Sequence, residues 1–397
     1  MADYYKLALE QHEKWQGKLS TELKMPLETK DDLSIAYTPG VAKPCLEIQK
    51  NPEDVYKYTW KGNVVAVVSD GTAVLGLGDI GPQAAMPVME GKCVLFKHFG
   101  GVNAVPLCID TKDTEEIIRF VKQVAPTFGG INLEDISSPR CVEIERRLIE
   151  ELDIPVFHDD QHGTAIVVTA GLINALKLVG KKPEDLKVVV SGTGAAGSSI
   201  IRMIRDFGVP TVYAFDSRGI IRSSACEGYN FVKKEIAQRT NPQDEALTLA
   251  QAMMGADVFI GVSGPGVLTK EMVASMNQDA ILFAMANPEP EIAYADAVAA
   301  GARVVGTGRS DFPNQVNNVL AFPGLFRGAL SVRARKITDE MKFAAAQGLA
   351  SLIAPEELTE EYVIPKPFDP RVAKTVAQAV AQKAVEQGLN RIPLEEN

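Results

Sequence analysis

An α/β protein of two domains, with helical segments at either end, is the fold class this sequence predicts, and three observations predict it. From about residue 62, short β-branched runs alternate with longer stretches of helical periodicity. The short runs are apolar throughout, as strands buried on both faces of a parallel sheet are. The chain has 397 residues, 46% of them hydrophobic, which is more than one typical domain of roughly 100–200 residues needs.

The elements follow in order. Residues 1–61 carry few strand signals and read as mostly helical. Strands are then expected over 63–70, 101–110, 129–135 and 154–160, with helices over 114–125 and 140–152. Together these make a first domain, 1–160. A long helix over 163–178 leads to strands at 187–191, 211–216, 257–262, 280–286 and 303–307, with a helix over 198–207. This second domain, 161–330, reads as a doubly wound parallel sheet. The remaining 331–397 reads as a helical tail packed back on the body, with Ala/Lys/Glu-rich helices over 333–347 and 370–388.

Composition excludes several classes. Lys and Arg number 41 against 51 Asp and Glu, a net charge of −10 without a basic block, so a nucleic-acid partner is not expected. An acidic protein that binds an acidic metabolite needs a local cation, either a metal or a buried lysine. Gly, Pro or charge breaks every apolar stretch before the roughly 18 residues of a membrane span. The first residues lack the basic and apolar regions of a signal peptide, so a cytoplasmic protein with no membrane partner is expected. Cys45, Cys93, Cys108, Cys141 and Cys226 form no CxxC pair and read as reduced core residues.

Two G-x-G-x-x-G matches occur. Gly76-Leu77-Gly78-Asp79-Ile80-Gly81 is separated from its strand and has no acidic strand end at the right distance, so it reads as a structural loop. Gly192-Thr193-Gly194-Ala195-Ala196-Gly197 directly follows the strand 187–191 and opens a helix with Ile200, Ile201, Ile204 and Phe207 on one face. The next strand ends at Asp216, 19 positions past Gly197 (216 − 197). That is the full context of a Rossmann dinucleotide fingerprint. Gly192 makes the tight turn, Gly194 admits the pyrophosphate, Gly197 permits close helix–strand packing, and the helix N-terminus offers free N–H groups. Asp216 can accept the ribose 2′-hydroxyl of NAD, and Arg218 can instead pair with the 2′-phosphate of NADP. Both stay open, with a lean to NAD from the repulsion Asp216 would exert on a phosphate.

Glu134-Asp135 and Asp159-Asp160 end two expected strands. In a parallel sheet those ends share one edge, where α/β proteins bind ligands. Four carboxylates brought together repel one another, and a divalent cation removes that cost. Oxygen-only donors suit Mg²⁺ or Mn²⁺. N-caps at Asp135 and Asp160 would explain one carboxylate at each end, not two. His158 and His162 flank the acids, but zinc usually takes His or Cys at three positions, so both histidines read as structural or supporting groups. Lys92 has Val88, Met89, Leu95 and Phe96 as its helical neighbours. Such a lysine is either desolvated, with a lowered pKa fit for a general base, or snorkels outward. Tyr37 precedes a Thr38-Pro39-Gly40 turn that would hold its ring on a loop.

Taken together, these residues resemble the malic enzyme family. The resemblance rests on Ala36-Tyr37-Thr38-Pro39-Gly40-Val41-Ala42, the stretch Ser69 to Gly81, Glu90-Gly91-Lys92-Cys93-Val94-Leu95-Phe96-Lys97 and Asn132-Leu133-Glu134-Asp135-Ile136. It continues through Phe157-His158-Asp159-Asp160-Gln161-His162-Gly163-Thr164-Ala165, the Gly192 to Gly197 loop, Ala284-Met285-Ala286-Asn287-Pro288 and the stretch Gln315 to Gly324. The motifs recur in order from about residue 35 to 328, and the length is similar to the short microbial form. The longer bacterial form carries a phosphotransacetylase-like C-terminal region for which this chain has no room.

The resemblance implies an N-terminal malic-type domain followed by a Rossmann-like one. It implies Lys92 as general base, Tyr37 as general acid, and Glu134, Asp135 and Asp160 as ligands of Mg²⁺ or Mn²⁺, with Asp159 beside them. Asn287 and Asn318 are then contacts to substrate or nicotinamide. Larger eukaryotic members carry an Arg where Ala73 stands, which leaves the clamp on the second substrate carboxylate unassigned. The implied reaction is NAD(P)-dependent oxidative decarboxylation of L-malate to pyruvate and CO₂, in a homodimer. A neutral Lys92 would take the C2 hydroxyl proton, and Tyr37 would protonate C3. The rival readings are an oxaloacetate or malolactic decarboxylase and a non-catalytic nucleotide-sensing protein.

Overall fold

The computed structural model describes residues 4–395. Ten strands form two sheets. β1 (Val64–Ser69), β2 (Asn103–Cys108), β3 (Gly130–Leu133) and β4 (Val156–His158) are parallel, in the order β2-β1-β3-β4. β1 reads VVAVVS with every residue buried, as a central strand covered on both faces requires. The second sheet comprises β5 (Lys187–Ser191), β6 (Thr211–Asp216), β7 (Gly219–Ile220), β8 (Val258–Gly261), β9 (Ile281–Ala284) and β10 (Val304–Thr307). Its order is β10-β9-β8-β5-β6-β7, parallel except for the short antiparallel β7. In both sheets the strand order reverses beside a central strand, and ligands of open α/β sheets bind outside the carboxyl ends at such points.

Three expectations are corrected. The run 154–160 is not all strand. β4 ends at His158, and Asp159 and Asp160 form the first turn of the helix Asp159–Val179, where free N–H groups and the helix dipole favour carboxylates. The expected helix over 333–347 begins later, as Asp339–Ala350, because Thr338 caps it by accepting the Met341 N–H at 3.2 Å. One helix, Asp159–Val179, is after all long and apolar enough by composition to cross a membrane; 72% of its apolar window is buried inside the fold.

That helix lies inside a hydrophobic core that extends from β1 to the Arg371–Glu386 helix and takes in strands of both sheets. A smaller cluster, including Val189, Phe259 and Leu282, covers the opposite face of the second sheet. The Arg371–Glu386 helix packs on Phe322–Ser331 so closely that a Cβ at Gly328 would lie 2.3 Å from the Ala377 carbonyl oxygen. The N-terminal helices Tyr4–Trp15, Lys30–Ala36 and Ala42–Lys50 contrast with this: none has a buried residue. Tyr5, Leu9, Leu23 and Ile35 stand 91%, 74%, 74% and 75% exposed.

Candidate active site

The carboxyl ends of the two sheets face one cavity of about 650 Å³. Ala73 and Gly76 border it from the loop after β1, Ser137 and Ser138 from the loop after β3, and Asp160 and Thr164 from the Asp159–Val179 helix. Gly194, Ala195, Ala196, Asn287 and Asn318 close it from the second half. The Gly76–Gly81 loop, expected to be structural only, therefore also walls the cleft.

Glu134, Asp135 and Asp160 bring ligand oxygens within 4.8 Å of one another. Asp135 holds a left-handed backbone (φ +52°). Its N–H donates to Asp160 Oδ2 at 2.8 Å, and its carbonyl accepts the Ala73 N–H at 2.9 Å. Asn132 Nδ2 donates to Glu134 Oε2 at 2.8 Å. Neither Asp135 nor Asp160 is an N-cap; Pro139 and His158 occupy those positions. Burial, followed by the neighbouring charges of Asp160 and Glu134, pushes Asp135 up to about 9. Burial likewise raises Glu134. Asp135 Oδ2 is buried without a hydrogen-bond partner. Three crowded carboxylates with an unsatisfied oxygen fit a hard divalent cation.

Lys92 differs from the expectation of an apolar setting. Met89 and Phe96 on its own helix are buried as expected, but two carboxylates reach it from other elements. Its Nζ lies 2.6 Å from Asp159 Oδ2 and 2.9 Å from Glu134 Oε1, and 4.4 Å from the Phe322 ring centroid. Burial alone would lower its pKa. Asp159 and Glu134 outweigh burial and hold the lysine above its ordinary value. Asp159, fully buried, is pushed up by burial to about 7, and it also accepts from Asn318 Nδ2 at 2.5 Å. So Asp159 serves the lysine while Asp160 joins the acidic trio. The cavity reaches this group at Asp160 and Asn318. Lys92, Glu134 and Asp135 lie buried at 7%, 3% and 4% exposure.

At the glycine loop, Gly192 takes φ +106°, and a Cβ at Gly197 would lie 1.9 Å from the Gly192 carbonyl oxygen. Nothing lies within 4 Å of a Cβ at Gly194, so that side is open to a ligand. Thr193 is buried with an unpartnered hydroxyl. Asp216 accepts from Lys233 Nζ at 2.5 Å and from the Arg218 N–H at 2.7 Å. The repulsion argument for NAD thus loses its premise, because the carboxylate is already paired.

Tyr37 is not brought to this group within the chain; it is 68% exposed, next to the Lys30–Ala36 helix. His158 is fully buried, its ring nitrogens unbonded and Nε2 3.8 Å from Asp160 Oδ2. Sequence reasoning missed Glu145, whose buried carboxylate accepts the His158 N–H at 2.8 Å, Gln161 Nε2 at 3.2 Å and His162 Nε2 at 2.8 Å. It thereby ties down the β4–helix junction. It missed Gly163 too, where a Cβ would lie 2.0 Å from Asp159 Oδ1. It also missed Arg140, which donates to Asp70 at 2.8 Å and to Thr72 and Ser137 at 3.0 Å each, bracing two loops of the cleft.

Comparison with known proteins gives a consistent match. The family model for the malic enzyme N-terminal domain matches residues 16–149, and that for the malic enzyme NAD binding domain matches 161–385. The chain is 58% identical to the bifunctional malic/malolactic enzyme of Bacillus subtilis, over 98% of this chain and 95% of that protein. It is 47% identical to the NADP-dependent malic enzyme of Halomonas elongata, over 97% and 94%. Among solved structures, the malic enzyme of Pyrococcus horikoshii superposes with a TM-score of 0.94 at 48% identity, covering 98% of this chain and 93% of the other. The NAD-dependent malic enzyme of Thermotoga maritima gives 0.91 at 49%, covering 94% and 98%.

Proposed function

Because the chain belongs to the malic enzyme family, an NAD(P)-dependent oxidoreductase acting on malate, we propose how its own residues carry out the oxidative decarboxylation to pyruvate and CO₂. One observation carries the reading: Lys92 and the acidic trio share Glu134, and the trio meets, at Asp160, the cavity that Gly194, Ala195 and Ala196 also border. Glu134, Asp135 and Asp160 would hold Mg²⁺ or Mn²⁺. When bound, the cation would supply Lewis-acid polarisation of the malate C2 oxygen, and NAD or NADP would supply the hydride acceptor.

Lys92 is the group placed to accept the C2 hydroxyl proton. A cation held by Glu134, Asp135 and Asp160 would offset the negative charge that holds Lys92 protonated, and so would favour the neutral amine. Asp159 and the Phe322 ring then fix its position. Neither Lys nor Arg lines the cavity among the described residues, so the amides of Asn287 and Asn318 and the hydroxyls of Ser137 and Ser138 are the donors offered to the second carboxylate. Lys233 can leave Asp216 for a 2′-phosphate, so the ribose site accepts both cofactors.

Tyr37 is the proposed acid for C3, and it reaches the site of a second copy. The exposed apolar N-terminal helices that carry it support a homodimer, in which that surface is covered. Five free thiols suit the cytoplasm. The test is L-malate with Mn²⁺ and NAD or NADP, following reduced cofactor, CO₂ and product. Pyruvate and CO₂ in step with reduced cofactor are expected. Cofactor reduction without CO₂ would leave a simple dehydrogenase, and lactate as product would favour malolactic chemistry.

A further inference from the structure

A second cavity, of about 340 Å³, lies among the helices Asp159–Val179, Ala195–Asp206 and Asp339–Ala350 and shares no lining residue with the active-site cavity. His162, Ser199, Arg202 and Lys342 line it, with Met203 and Phe343 as apolar wall. Three carboxylates also line it, but each has a partner. Asp206 pairs with Arg239 at 3.3 Å, Asp339 with Lys342 at 3.0 Å, and Glu340 accepts from Gln387 at 3.1 Å. The cation Lys383 is likewise paired, with Glu386 at 2.5 Å. Arg202 is the exception. Its one ion pair, to Glu235, is 3.6 Å long, too long for a hydrogen bond. Burial and then the nearby Arg146 push its pKa below the ordinary value, against the opposing charges of Glu145, Glu235 and Asp339. Among the described residues its five fork-like donors find no hydrogen-bond acceptor, and the side chain keeps 21% exposure, so they remain open to a ligand.

We propose that this cavity is a second ligand site, which takes a small oxyanion, a carboxylate or phosphate group, on Arg202 with Lys342 beside it. The guanidinium fork matches two oxygens of such a group, and the volume lies at the lower end of small-molecule sites. The position makes it an effector site. His162 stands three residues after Asp159 on the same helix, and Ser199 Oγ bonds its Nδ1 at 2.8 Å. Ser199 belongs to the helix that the Gly192–Gly197 loop opens. A ligand here therefore touches both helices that place the active-site groups.

Calorimetric titration of inorganic phosphate and, separately, succinate into the full chain saturated with NADP⁺ tests this, because the nucleotide site is then filled. One site per chain in the millimolar range is expected for at least one anion, and the responding arm identifies the group. Arg202→Gln should weaken binding by about tenfold or more. Gln347→Trp, at an exposed lining position, should do the same by blocking the cavity without altering charge, and serves if Arg202→Gln does not fold. No binding of either anion to the wild-type protein, or wild-type affinity in either folded variant, overturns the proposal.

Discussion

Replacing Gly163 by Ala tests the active-site geometry at its tightest point. The added carbon would lie 2.0 Å from Asp159 Oδ1 and 3.0 Å from both Asp159 Cγ and Asn318 Cβ. Relaxed non-bonded contacts need roughly 3.5 Å, so the carboxylate must move by about 1 Å or more. Gly163 lies within the Asp159–Val179 helix, whose backbone bonds resist retreat. Asp159 is held by Lys92 at 2.6 Å and by Asn318, and a shift of that size breaks the first bond. Overpacking costs about 1–3 kcal/mol, and a misplacement of about 1 Å near the chemistry costs roughly 10²-fold in rate. The expected outcome is a kcat/KM lower by about 10²-fold at saturating Mn²⁺, with a melting temperature lower by a few degrees. Mn²⁺ affinity, read by electron paramagnetic resonance, should stay within about threefold, since the atoms nearest the new methyl belong to Asp159 and Asn318 and not to Glu134, Asp135 or Asp160. A folded variant that turns over malate within about threefold of wild type would refute this account of Asp159 and Lys92.

Three further outcomes are expected. Glu134→Gln and Asp160→Asn should each raise the Mn²⁺ concentration for half-activity by about tenfold or more while nucleotide binding is unchanged; full activity at low Mn²⁺ would remove the cluster from the metal role. Lys233→Gln should leave kcat/KM with NAD nearly constant and lower it with NADP by about tenfold, as loss of a charge-assisted bond does; an unchanged ratio would place cofactor choice elsewhere. Mixing inactive Tyr37→Phe with inactive Lys92→Ala should regenerate activity if the site is shared between subunits, and mixtures that stay inactive would mean each subunit uses its own pair.

The parts of the fold that local pattern determines were legible. β5 and β6 coincide residue for residue with the expected runs, because each is a β-branched stretch closed by Gly or Asp. The convergence of Glu134, Asp135 and Asp160 followed from strand ends sharing one edge. The separate tasks of Asp159 and Asp160 were not legible. In a helix, consecutive side chains diverge by about 100°, and this divergence sends one carboxylate to Lys92 and the next to the trio. The charged setting of Lys92 was hidden as well, since helical spacing reveals its neighbours at three and four residues and not Glu134 and Asp159, which are brought in just past the ends of β3 and β4. Glu145 and Lys233 stand in no motif of the sequence. Only the tertiary fold brings Glu145 to the His158 N–H and Lys233 to Asp216.

The core that extends across both sheets has a consequence for how the molecule comes apart. The Asp159–Val179 helix belongs to the first half by its acidic turn and to the second by the strands beneath it, and residues such as Ile166, Val167 and Leu172 are wholly enclosed. Halves that merely touch across a wet interface unfold one after the other. Here the seam itself is the dry interior, so heat or denaturant should dismantle both sheets in a single cooperative transition. Cutting the chain near residue 160 would strip this helix from one fragment and leave it uncovered on the other, and neither piece would hold its native fold alone.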